Sequence, residues 1–260
     1  GGISKRIVSF CQALVGHFTG GLALVVVLAS VFFAAMTGSG VAACAAVGGI
    51  MIPMMVKNGY HSDFACALQA TSGIFGPLIP PSIVMVLYAV YANQSVSTML
   101  MAGVGPGLMQ AAMVCILAVW ICHRRGYAGV GSFSMKRLLK EFGSSFWALL
   151  APVIILGGIY SGICTATEAS GVACFYSILV GLFIYKEMNW KTMLECLGKA
   201  MKSTGNIMLI VGASSAFSWV LTRERIASKL ANTLLSITSS EVLFLIVVML
   251  ILLFLGCFID

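Results

Sequence analysis

The sequence predicts an all-α membrane protein with several transmembrane segments, because of its composition and the arrangement of its apolar residues. Hydrophobic residues make up 60% of the 260 residues and charged residues only 9%, whereas a soluble domain carries about 25% charged residues. The apolar residues form long runs separated by short basic clusters, the pattern of a polytopic protein in a bilayer. A soluble fold is therefore excluded.

The first apolar run predicts a re-entrant helical hairpin rather than two full crossings. No Asp, Glu, Lys or Arg lies between Arg6 and Lys57, but residues 37–40 (TGSG) divide the run 21–56 into halves of about 16 residues. At about 1.5 Å per residue each half reaches about 24 Å, short of the roughly 30 Å hydrocarbon core. Basic residues flank both outer ends, which favours placing those ends on one side of the membrane.

A second interruption predicts a broken helix over residues 63–92. The segment 73–82 (GIFGPLIPPS) contains three prolines, which interrupt an α-helix. We expect two half-helices, over about 64–75 and 82–92, around an unwound centre.

The two ends of the chain share one plan, in which a charged amphipathic segment is followed by a polar break and a short apolar run. An odd number of crossings is predicted between them, over 64–92, 100–122, 143–163, 168–185 and 203–221. The two copies then enter the membrane from opposite faces, and such an inverted-topology repeat is the signature of secondary transporters. All Lys and Arg residues except Arg223, Arg225 and Lys229 fall on the predicted cytoplasmic side, as the positive-inside rule expects.

The predicted organisation follows the chain from one copy to the other. It comprises an interfacial arm helix (1–19), a first re-entrant hairpin (20–56), a broken helix (63–92), a span (100–122), a cytoplasmic loop (123–142), further spans (143–221), a second interfacial arm helix (222–239) and the start of a second hairpin (240–260). Because the chain begins without Met and stops as an apolar run ends, we expect further segments on both sides.

Both interruptions are candidate ion sites. Broken backbone at membrane depth is tolerated only where protein or a water-filled cavity surrounds it. Its freed carbonyls and hydroxyls can coordinate Na⁺, and a helix N-terminus favours an anion. The alternatives are a small-residue packing notch at 37–40 and a purely structural proline kink at 76–82. The short half-helices and the pairing of two breaks favour the ion site.

Two acidic residues, Glu168 and Asp260, fall in or near predicted membrane segments, where a carboxylate suggests function. Glu168 also completes a capping box with Thr165 at the start of a helix, and we prefer that structural interpretation. Asp260, at the tip of the second hairpin, is either a second intramembrane carboxylate or a helix cap.

Other functional classes find no support in the sequence. The net charge of +7 is explained by cytoplasmic loops, without nucleic acid. The nine cysteines are scattered without a CxxC pair, so we expect neither a disulfide nor a metal centre. There is no P-loop, GxSxG or HExxH motif, so we predict a protein that is not an enzyme and holds no cofactor. Any active transport then depends on an ion gradient or on other subunits.

Several motifs, in order along the whole chain, resemble the DctM-type large subunit of tripartite ATP-independent periplasmic (TRAP) transporters. They are GGISKRIVSF, ALVGHFTGGLALVVVLASVFFAAMTGSG, IMIPMMVKNGY, GIFGPLIPPSI, AGVGPGL, APVIILGGIYSGICTATEA and LGCFID. The resemblance implies a multi-pass protein of the bacterial inner membrane. It further implies an elevator-type transporter in which the hairpins and the broken helix move against scaffold spans, importing organic acids such as C4-dicarboxylates or sialic acid with Na⁺. Its implied partners are a small DctQ-type membrane subunit, a periplasmic substrate-binding protein and membrane lipid.

The resemblance also assigns site residues. The hairpin tip (Gly38, Ser39, Gly40) and the unwound segment (Gly76, Pro77, Pro80, Pro81, Ser82) would form one sodium site and part of the substrate cavity, while Gly256 and Asp260 would begin a second site. The candidate sodium ligands are Ser39, Gly76, Pro77 and Asp260.

Two other hypotheses remain at this point. One is an elevator-type divalent anion:Na⁺ symporter that works without a binding protein. The other is an intramembrane enzyme or channel, which would need a buried catalytic pair or a charged pore ring that the sequence does not offer.

Overall fold

The computed structural model describes residues 3–131, 133–226, 228–229, 232 and 241–256, and all regular structure in these residues is helical. By their contacts the residues divide into two units, Gly1–Asn189 and Trp190–Asp260. In chain order the helices are α1 (Ile3–Val15), α2 (Gly21–Thr37), α3 (Gly40–Lys57), α4 (Ser62–Gly73), α5 (Phe75–Leu78), α6 (Ile83–Tyr91), α7 (Val96–Arg125), α8 (Met135–Tyr160), α9 (Ala166–Leu179) with a π-helical turn (Val180–Ile184), α10 (Trp190–Arg223) and α11 (Glu241–Gly256).

The described residues contain six helical segments that are long and apolar enough to cross a membrane, which confirms the predicted all-α polytopic class. These are Gly40–Lys57, Ser62–Tyr91, Val96–Arg125, Met135–Tyr160, Ala166–Ile184 and Trp190–Arg223. Helices α2 and α3, with 17 and 18 residues, are each about 26 Å long. Helix α7, with 30 residues, reaches about 45 Å and exceeds the roughly 30 Å hydrocarbon core, whereas α2 and α3 stay below it.

Helix α2 lies at the centre of the first unit. None of its residues is exposed, and the side chains of Leu22, Val25, Val26 and Val27 are inaccessible to solvent. A helix that is apolar all round is stable only when other elements surround it, and α1, α3, α4, α5 and α7 pack against α2. The position of its C-terminal end, at Thr37, is therefore fixed by many neighbours.

The interruption predicted after α4 is present in the structure. Helix α4 ends at Gly73, α5 is a single turn, and the backbone is extended at Ile79 (φ −83°, ψ 122°) and again at Ser82, which precedes α6. The observed half-helices agree with the predicted ones to within two residues at each end.

The predicted loop over 123–142 is too long. Helix α7 continues to Arg125 because Gly126 adopts the left-handed conformation that ends a helix (φ 69°). Helix α8 begins at Met135 because Ser134 caps it, accepting a bond from the Arg137 amide. Similarly, α10 starts at Trp190, ahead of the predicted span 203–221, whereas the predicted arm helix 222–239 lies largely outside the described residues.

Glu168 is a capping residue, as the preferred interpretation proposed. Its Oε2 accepts bonds from the backbone N–H and the hydroxyl of Thr165, both at 2.8 Å, while the Glu168 amide donates to Thr165 Oγ1 at 3.3 Å. This capping box satisfies the free amides at the start of α9.

Helix α1 is tied to α8 and to the segment after α9 through Arg6. The guanidinium donates to Ser144 Oγ and to Glu187 Oε1, each at 2.9 Å, and lies 4.2 Å from the ring centroid of Tyr185. The Arg6 carbonyl accepts a bond from the fully buried hydroxyl of Ser145. One side chain therefore joins three elements of the first unit.

Replacing Arg6 by alanine should destabilise the full-length protein by about 1–3 kcal/mol, because two partners of a charged donor lose their bonds. The neighbouring Lys5 is exposed, so Lys5→Ala should change stability by less than about 0.5 kcal/mol. Thermal unfolding of the purified variants measures both, and equal shifts for Arg6→Ala and Lys5→Ala would show that the Arg6 contacts are not stabilising.

Candidate functional site

The hairpin tip reverses the chain in two residues. Gly38 takes the left-handed conformation (φ 61°), and its amide donates to Ala34 O at 2.8 Å, which ends α2. Ser39 returns to extended geometry, and its hydroxyl accepts a bond of 3.3 Å from the Ala42 amide, which starts α3. The reversal leaves the C-terminus of one helix beside the N-terminus of the next.

The break in the second element likewise ends at a serine that caps the next helix. The Ile79 amide donates to Phe75 O at 2.7 Å and closes α5. After Pro80 and Pro81, the Ser82 hydroxyl accepts a bond from the Met85 amide and starts α6, and it also donates to Pro77 O at 2.7 Å. Ser82 therefore bridges the two sides of the unwound segment.

The two interruptions are in direct contact, backbone against backbone. A methyl group on Gly76 would lie 2.5 Å from the carbonyl carbon of Ser39 and 2.6 Å from Gly40 Cα. A methyl group on Gly38 would lie 2.5 Å from Pro81 O and 3.1 Å from the Ile83 amide nitrogen. Only glycine leaves room for this approach, so the sequence makes the contact possible at both points.

Helix α7 supports the unwound segment from the other side. Methyl groups on Gly103 and Gly107 would lie 2.8 Å from Leu78 O and 2.9 Å from Ile79 Cγ1, respectively. The glycines of the AGVGPGL motif therefore allow α7 to pack closely against the broken helix, as small residues do between membrane helices.

A buried polar contact that the sequence analysis missed joins the hairpin to the broken helix. Gln69 of α4 is only 3% exposed, and its amide Nε2 donates to the fully buried Ser30 Oγ of α2 at 3.3 Å. The backbone carbonyl of Gln69 also accepts a bond from Cys44 Sγ of α3 at 3.4 Å. In the sequence, the only indication of this contact is an uncharged amide side chain within an apolar run. The sequence does not show which residue that amide bonds to.

The electrostatics of the site come from backbone groups and uncharged hydroxyl groups. No Asp, Glu, Lys or Arg occurs in the runs that contain it. Helices α3 and α6 begin beside each other, and the first amides of each have no partner within their own helix. These N-termini carry partial positive charge, while hydroxyl and carbonyl oxygens at the ends of α2 and α5 are hard ligands that suit Na⁺.

Comparison with known proteins places this architecture in a family. Residues 1–260 match the family described as "Tripartite ATP-independent periplasmic transporter, DctM component". The chain belongs to this family. It is a multi-pass protein of the bacterial inner membrane, as the resemblance of its motifs implied.

Named relatives of the DctM family align with the whole chain. It is 38% identical over 260 residues to the sialic acid TRAP transporter permease protein SiaT of Haemophilus influenzae, covering all of the chain and 42% of that protein. It is 38% identical over 259 residues to the sialic acid TRAP transporter large permease protein SiaM of Vibrio cholerae, and 39% identical over 260 residues to the C4-dicarboxylate TRAP transporter large permease protein DctM of Pseudomonas aeruginosa. The chain is fully covered in both alignments and spans 61% of each protein.

Within this DctM-family chain, the predicted residues of the hairpin tip and of the unwound segment lie together. They are Gly38, Ser39, Gly40, Gly76, Pro77, Pro80, Pro81 and Ser82. Gly256 ends α11 in the second unit, and Asp260 lies outside the described residues. The second site therefore stays a prediction.

Gly76→Ala should separate the hairpin tip from the broken helix, because the added methyl group meets the backbone of Ser39 and Gly40 rather than a movable side chain. We expect a loss of about 1–3 kcal/mol in stability, the range for overpacking. Gly49 of α3 has no atom within 4 Å of an added methyl group, so Gly49→Ala is the matched control and should be neutral or stabilising. Equal thermal shifts for the two variants in the full-length permease would contradict the close contact.

Proposed function

We propose that the chain belongs to the large permease subunit of a sodium-coupled TRAP transporter, which imports an organic acid by secondary active transport. The observation that supports this function most strongly is the direct contact between two interrupted helices in a region without charged side chains. Family membership supports the transporter class, and the site geometry supports the use of an ion.

Sodium is proposed to bind where the hairpin tip meets the unwound segment. Ser39 contributes a hydroxyl there, and the ends of α2 and α5 contribute carbonyl oxygens near Gly76 and Pro77. Hard oxygen ligands of this kind are the ones that unwound membrane helices offer to Na⁺. A second sodium site, which would include Gly256 and Asp260, follows from the inverted repeat.

The substrate is proposed to be a carboxylate, such as a C4-dicarboxylate, sialic acid or a similar organic acid. The N-termini of α3 and α6 would attract its negative charge. Since no Arg or Lys is available in the site, the bound Na⁺ would supply the remaining neutralisation. A small DctQ-type membrane subunit and a periplasmic binding protein that delivers the substrate complete the proposed assembly, in which the hairpins move as an elevator against the scaffold spans.

Uptake into liposomes by the full-length complex, supplied with its binding protein, tests the coupling. We expect accumulation of the organic acid only with an inward sodium gradient, and uptake that is indifferent to sodium would contradict the proposal.

Ser39→Ala tests the proposed ligand. The variant loses a helix cap, worth about 1 kcal/mol, and also a sodium ligand, so the sodium concentration for half-maximal uptake should rise severalfold. Ser134 caps α8 in the same way but lies outside the site, so Ser134→Ala should leave that concentration unchanged. If Ser39→Ala and Ser134→Ala behave alike, Ser39 acts only as a cap.

A further inference from the structure

A second cavity, separate from the site above, lies at one end of the first unit. It has a volume of about 620 Å³ and is lined by His61, Asp63, Phe64, Ala67, Arg125 and Tyr127. The lining comes from the corner between α3 and α4 and from the end of α7. Nothing in the proposed transport function uses it.

The cavity opens at the depth of lipid headgroups. Helix α7 is long enough to cross the bilayer and ends at Arg125. The guanidinium of the preceding residue, Arg124, lies 4.4 Å from the ring centroid of Trp120, one turn earlier in the helix. Trp and Tyr side chains followed by basic residues mark the membrane–water interface. A phospholipid headgroup is therefore expected at the same depth as this cavity.

The lining of the cavity contains one residue with a positive charge and one with a negative charge. Arg125 and Asp63 both line it and are both exposed, and in the part of the chain that the structure describes they form no ion pair with each other or with other residues. Asp63 Oδ1 accepts a bond from the Ser62 hydroxyl at 3.2 Å, which leaves its second oxygen available. One cation and one anion in the lining of the same cavity suit a ligand that carries both charges.

The aromatic wall is held in place before any ligand binds. The Tyr127 amide donates to Cys122 O at 3.0 Å, its carbonyl accepts from the Gly20 amide at 3.1 Å, and its hydroxyl oxygen accepts from the His61 amide at 3.2 Å. Its ring stacks on that of Tyr60 with centroids 4.2 Å apart. A preformed wall lowers the entropy lost on binding, and the hydroxyl proton of Tyr127 remains available for an acceptor.

We propose that this cavity binds the headgroup of an aminophospholipid, a phosphodiester that carries a primary ammonium group. The phosphate accepts charge-assisted bonds from Arg125 and a bond from the Tyr127 hydroxyl, as guanidinium groups favour phosphate. The ammonium donates to Asp63. Phosphatidylethanolamine has both groups, whereas phosphatidylglycerol lacks the cation and phosphatidylcholine lacks the N–H donors.

The test uses the delipidated full-length complex in detergent, with thermal stability recorded as each of the three lipids is added with identical acyl chains. Phosphatidylethanolamine should stabilise at about tenfold lower concentration than phosphatidylcholine, the change expected for one charge-assisted hydrogen bond. Equal stabilisation of the wild-type protein by all three lipids would overturn the proposal, whatever the variants do.

Variants test which part of the lipid headgroup each of the two charged side chains binds. Asp63→Asn should abolish the preference for phosphatidylethanolamine over phosphatidylcholine, and Arg125→Gln should weaken stabilisation by every phospholipid. Arg124→Gln removes the same charge from the same helix end but outside the cavity, so it should keep the preference. Loss of the preference in Arg124→Gln to the same degree as in Asp63→Asn would contradict the assignment.

A soluble headgroup distinguishes a lipid from a free phosphate ester. Glycerophosphoethanolamine should not stabilise the complex at the concentrations at which the lipid does, because it lacks acyl chains to lie along the exposed apolar side chains of α7. Stabilisation by the soluble compound at equal concentration would mean that the cavity takes a free metabolite instead.

Discussion

At Gly38, Gly40 and Gly76 two interrupted helices approach until no side-chain atom separates their backbones. Any larger residue at these points would force the hairpin tip away from the unwound segment. The surrounding structure maintains the approach. Helix α2 has no exposed residue, the Gln69–Ser30 bond joins α4 to α2, and α7 packs closely against Ile79. Within a membrane, a helix can be interrupted only where the surrounding protein or water forms hydrogen bonds with the freed backbone groups.

An uncharged site has a consequence for coupling. A carboxylate that leaves water for this region meets partial charges from the starts of α3 and α6, but no Lys or Arg. A buried charge without a full counter-charge is strongly unfavourable. A bound sodium ion would provide the positive charge that offsets the substrate carboxylate. Sodium and substrate would therefore each stabilise the binding of the other. In the proposed account, coupling follows from the lack of a permanent cation near Ser39 and Ser82.

The two breaks could be predicted from the sequence because their causes are local. Pro80, Pro81 and the segment 37–40 interrupt helices wherever they occur. The approach of Gly76 to Gly40, and the bond between Gln69 and Ser30, could not be predicted, since hydrophobic patterns do not identify which helices pack together. The loop ends at 125 and 135 were missed because α7 and α8 extend beyond the apolar runs into charged residues, and only Gly126 and Ser134 mark where the helices end and begin.

The central claim is that the contact between the hairpin tip and the unwound segment holds a sodium ion. Cryo-electron microscopy of the full-length complex, prepared once in sodium chloride and once in choline chloride, tests it most directly. The account predicts density in sodium, surrounded by oxygen atoms from the segments 37–40 and 76–82, and its disappearance in choline. The same empty contact in both preparations would contradict it.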